Sequence, residues 1–188
     1  RLEWAVDSFS PYKSPGVDDI FLALLQRGMS RPRPILLPML WACLAFSYIP
    51  NTCRKVKLIF IPKPERQDFT LGKSYRSISL TLFVLKTLER LSEKEIRETT
   101  LSRQQNKIST LGMFLDIEEA FYETTFKSIG LALQEHNVNP TLSRWVTGML
   151  RTREVLINVG GTEIEAVVDR GCPEGGVSTL PCTVGYCR

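Results

Sequence analysis

Between residues 79 and 98, leucine recurs at Leu82, Leu85, Leu88 and Leu91, with lysine and glutamate between. That spacing puts the leucines on one face of a long amphipathic helix. Upstream, VKLIFI (56–61) is β-branched and alternates at first, which predicts a strand. A chain holding both must pack helices on a sheet. The other segments agree. Residues 20–27 read as a short helix that Asp18 can cap. PILLPMLWACLAFSY (34–48) is apolar nearly all round and predicts a buried helix ended by Pro50. Residues 62–76 form a polar, basic loop, and 112–117 read as a strand. Residues 123–136 and 140–152 read as two amphipathic helices, and VLINVGGTEIEAVV as a hairpin turning at Gly160-Gly161. The elements do not alternate β-α-β, so the expected class is α+β.

Charge is distributed unevenly. Residues 1–110 hold 18 Lys+Arg against 10 Asp+Glu, and residues 111–188 hold 6 against 10. A basic half suits phosphate backbones, and an acidic half suits a divalent cation where its carboxylates converge. The 188 residues suffice for one domain with a core. No apolar run reaches 18 residues, so no membrane span is expected. The chain starts at Arg1 without methionine, so it is expected to be a piece of a longer protein. Five cysteines without a secretory signal suggest reduced thiols with no disulfide partner and an intracellular protein. One histidine, His136, and no C-x2-C pair argue against zinc.

Two phosphate motifs fail on spacing. Gly72-Lys73-Ser74 matches the tail of a P-loop, but the glycine required five residues earlier is Gln67. GCPEGG lacks the order of a dinucleotide loop. The cations are more informative. Arg54, Lys55, Lys57, Lys63, Arg66, Lys73 and Arg76 lie in one stretch, offset only by Glu65 and Asp68. Pro62 and Pro64 stiffen the chain around Lys63. Such a segment suits a triphosphate or a template backbone, and equally an exposed basic loop.

Carboxylates gather in LGMFLDIEEAFYETTF (111–126). Strand periodicity puts Asp116 and Glu118 on one face. Two-metal phosphoryl transfer needs several such oxygens on a small patch, more than one strand supplies.

Several blocks in order carry a resemblance: YKSPGVDDI (12–20), VKLIFIPKPER (56–66), SYRSISL (74–80) with LKTLERL (85–91), MFLDIEEAF (113–121) and RGCPEGGV (170–177). Together they resemble the reverse transcriptases of non-LTR retrotransposons, jockey-like elements above all. The resemblance implies a partial right-hand polymerase fold, with fingers over 1–110 and an incomplete palm over 111–188. It implies an RNA-directed DNA polymerase that uses Mg²⁺, an RNA template, a DNA primer and dNTPs. Asp116 then corresponds to a catalytic metal ligand, with the Ile117 carbonyl beside it. Phe121 corresponds to the aromatic that excludes a 2′-hydroxyl. Lys63 and Arg76 correspond to triphosphate contacts, and Glu174, Gly175 and Gly176 to the turn at the nucleotide. Arg54, Lys55, Lys57, Arg66 and Lys73 become candidate nucleic-acid contacts.

The departures bear on activity. The family's Tyr-Ala-Asp-Asp hairpin, with two further metal ligands, would fall after Arg188. Glu174 stands where the family has glutamine, which replaces a possible donor with an acceptor. Tyr122 replaces an aspartate and Ser77 a proline, and QQNKIST (104–110) is a shortened box without its glycines. The chain by itself is therefore expected to be inactive and to bind Mg²⁺ weakly. A non-catalytic RNA- or DNA-binding module and an inert translated remnant are the alternatives.

Overall fold

A computed structural model describes residues 1–64, 66–104 and 124–172. Its elements are α1 (Leu2–Asp7), α2 (Leu22–Gly28), α3 (Arg33–Ala45), α4 (Asn51–Arg54), β1 (Lys55–Pro62), a 3₁₀ turn (Gly72–Ser74), β2 (Tyr75–Leu80), α5 (Phe83–Gln104), α6 (Phe126–Glu135), α7 (Pro140–Arg151), β3 (Glu154–Val159) and β4 (Thr162–Val167). The strands make one four-stranded mixed sheet in the order β2-β1-β3-β4. β1 runs antiparallel to β2 and parallel to β3, and β3–β4 is an antiparallel hairpin. The class is α+β. The strand expected at 112–117 lies outside the described residues.

Local chemistry explains most boundaries. The Asn139 side chain accepts from the Thr141 N–H at 2.9 Å, and Pro140 occupies the first turn, so α7 starts there. The Thr125 hydroxyl accepts from the Ser128 N–H at 3.2 Å and starts α6. Gly160 and Gly161 take φ of 60° and 86°, which a two-residue turn between β3 and β4 requires.

Three expectations change. The long helix begins at Phe83 rather than 79, because residues 75–80 extend as β2 beside β1. Asp18 does not cap α2; its carboxylate accepts from the Ile20 N–H at 3.2 Å, and Phe21 is the N-cap. The helix α3 is not buried all round. Leu36, Leu40 and Cys43 face the core, but Ile35 is 76% exposed, Trp41 64% and Phe46 82%.

The core lies where α5, α6 and α7 meet the N-terminal helices. Phe83, Leu88, Ile129, Leu133, Trp145 and Leu150 are fully buried or nearly so, together with Val6 and Leu22. Each such side chain contributes about 1.5–3 kcal/mol by leaving water. The turn over 11–19 closes onto this core at Gly16. A β-carbon there would sit 3.0 Å from the backbone of Thr81 and Leu82, so any side chain would have to push the β2–α5 junction aside.

Candidate nucleic-acid interface

The β1–β2 ladder decides where the basic segment points. Lys57 pairs with Leu80, Ile59 with Ile78 and Ile61 with Arg76. Cross-strand partners share a face, and side chains alternate along a strand. Lys57 and Arg76 therefore stand on one face of the sheet, with Ile59, Ile61 and Ile78 between them. Lys57 and Ile61 are four residues apart, about 13 Å along the strand. Both cations are exposed.

The loop that joins these strands is tied down. The Lys63 N–H donates to the Ser74 carbonyl at 2.9 Å, and its ammonium donates to the Lys73 carbonyl at 3.0 Å. The Asp68 carboxylate accepts from the Thr70 N–H at 2.9 Å and the Thr70 hydroxyl at 2.6 Å. Those two bonds hold the Asp68 carboxyl below its ordinary range. The Ser74 hydroxyl donates to the Asp68 carbonyl. Phe69 meets Tyr75 edge-on, with centroids 6.1 Å apart, and the Tyr75 hydroxyl donates to the Phe69 carbonyl at 3.1 Å. This aromatic pair stands among Arg66, Lys73 and Arg76 in the chain. The contact was not visible in sequence, because residues 70–74 separate Phe69 from Tyr75.

The seven cations fall into two groups. Lys57, Arg66, Lys73 and Arg76 are exposed and form no ion pair among the described residues. The others are engaged. Lys63 is held by the Lys73 carbonyl, as above. Lys55 pairs with Glu165 at 3.4 Å across the sheet. The Arg54 Nε donates to the Ile49 carbonyl at 3.1 Å and so fixes the α3–α4 connection. Free, exposed cations can neutralise phosphates; engaged ones contribute less.

Asp116, Ile117, Phe121, Glu174, Gly175 and Gly176 lie outside the described residues. Among the described residues, no three carboxylate, thiol or imidazole groups converge where they could hold a metal ion. Among them also, no helix is long and apolar enough to cross a membrane, and Cys43 and Cys53 are free thiols. The sequence matches no protein-family model and no curated protein.

Proposed function

We propose that this chain is a fingers–palm piece of a reverse transcriptase of the non-LTR retrotransposon kind, one that holds nucleic acid but does not polymerise by itself. The ordered sequence blocks support the ancestry. The observation that carries the binding is Arg66, Lys73 and Arg76 at a braced loop, with Lys57 farther along the same sheet face as Arg76, all exposed and free of ion pairs among the described residues. Phosphates would meet the cations, and an unpaired base can stack on the exposed face of Phe69 or Tyr75. Recognition of this kind is set by backbone charge and tolerates sequence.

Mg²⁺, when bound by an enzyme of this kind, stabilises charge on the transferred phosphoryl group; here Asp116 and the Ile117 carbonyl would be its ligands. The test has two arms. Fluorescence anisotropy with a labelled RNA–DNA duplex and with single-stranded RNA should give binding that weakens steeply as salt rises. Absent or salt-insensitive binding removes the reading. Primer extension with Mg²⁺ and dNTPs should give no product, and template-dependent extension refutes the inactivity.

A further inference from the structure

The four residues 136–139 turn α7 back beside α6, and a groove runs between the two helices. Its volume is about 700 Å³. Gly130 and Gly148 lower its lining at two points, beside the buried side chains of Phe126 and Val138. At Gly130 a β-carbon would stand 4.0 Å from the Thr147 hydroxyl, so the lining there is low but not strained. Leu131, about half exposed, forms an apolar wall. Lys127, Arg144 and Arg151 line the groove, all three exposed, and among the described residues no carboxylate lines it. Among the described residues none of these three cations is in an ion pair.

We propose that this groove docks an acidic amphipathic helix of another protein. Two neighbouring helices leave a channel that a third helix fills, and the two lining glycines let its backbone approach. The charges fix its chemistry. Arg144 and Arg151 are seven residues apart on α7, two turns or about 10 Å. Carboxylates seven residues apart on the incoming helix meet both guanidiniums while its leucine-type residues cover Leu131. Lys127 lies in the first turn of α6 and Arg151 ends α7, so one end of the groove carries two cations while Arg144 lies nearer its middle. That asymmetry sets the direction of a partner whose acids are denser at one end. A polynucleotide fits less well, because its phosphates leave the apolar wall uncovered.

The proposal does not depend on the polymerase reading. A labelled synthetic peptide with leucines at helical spacing and glutamates seven residues apart is titrated against the whole chain by fluorescence anisotropy. Saturable binding is expected, with affinity lowered about tenfold or more by the double variant R144E/R151E. Gly130→Leu, which raises the lining, should also weaken it, with far-ultraviolet circular dichroism unchanged in both variants. A scrambled peptide of the same composition that binds equally well overturns the proposal. So does single-stranded RNA whose binding collapses in R144E/R151E, which makes the groove a nucleic-acid site. Concentration-dependent dimerisation abolished in the same variant assigns the groove to a second copy and overturns it too.

Discussion

The Lys63 ammonium donates to the Lys73 carbonyl oxygen at 3.0 Å, across the mouth of the loop that joins β1 and β2. The side chain that the family resemblance matches to a triphosphate contact braces the loop from within. Replacing it with methionine removes one hydrogen bond, a net loss of about 0.5–1.5 kcal/mol. Amide hydrogen exchange over 66–74 should accelerate in Lys63→Met, while exchange in α5 stays unchanged. Equal protection of the loop in both proteins would show that the hydrogen bond is idle.

Lys57 and Arg76 share a sheet face and have no ion pair among the described residues. The double variant K57A/R76A should weaken duplex binding. It should also flatten the dependence of log affinity on log salt by about 0.9 for each phosphate no longer neutralised. Lys55→Ala should do less, because Glu165 already engages that ammonium at 3.4 Å. Lys57 and Arg76 are exposed and Lys55 is half-buried at the surface, so stability should move by no more than about 0.5 kcal/mol. An equal effect from Lys55 and Lys57 would contradict the division into free and engaged cations.

Burial pushes the Cys53 thiol up to about 11 from its ordinary value of 9.0, and Cys43 and Asp18 add to the shift. The folded state keeps this proton after the unfolded chain has given it up. The associated stability is thus complete below pH 9 and disappears as pH rises through 11. Two pH units correspond to about 2.7 kcal/mol, an order-of-magnitude figure. Urea titrations at pH 8.5 and pH 11 should show this decline, and Cys53→Ala should remove its share. Rapid alkylation of Cys53 by iodoacetamide at pH 8 in the folded protein would rule out the burial on which this rests.

Arg153 is only 7% exposed, and burial lowers its guanidinium to about 10, against the opposing pull of Glu89. Its Nη2 donates to the Gly171 carbonyl at 3.2 Å, while Nε and Nη1 have no hydrogen-bond partner among the described residues. Glu89 is buried as well, so removing one of these two opposite charges leaves the other uncompensated. Arg153→Met should therefore destabilise the fold by about 3–5 kcal/mol, and Glu89→Gln in the same chain should restore part of it. Additive effects in the two single variants and the double would dissolve the coupling.

Sequence reasoning found the elements whose periodicity is clean. The leucine series gave α5, the amphipathic stretches 123–136 and 140–152 gave α6 and α7, and Gly160-Gly161 gave the β3–β4 turn. It missed β2, because YRSISL lies between a basic loop and the leucine series and shares character with both. Leu82 also fits the helical spacing, yet it lies before the first residue of α5, so the period ran past the true boundary. It also took α3 for a core helix. Apolar character all round does not say how many faces have neighbours, and here one face does. Of the candidate site, the cluster of cations was legible as composition. Which of them are free was not, since Lys55 meets Glu165 only through the β3–β4 hairpin, 110 residues away in sequence.

At the far rim of the sheet, β4 is exposed along its whole length and has β3 on one side only, with no further strand beside it among the described residues. Its outward amides and carbonyls are a template on which a stray strand can grow. Glu163 sets like charge against like when two copies approach rim to rim, while Glu165 is already engaged by Lys55. Concentrated salt screens that repulsion, and with it the rim loses part of its protection against a second copy.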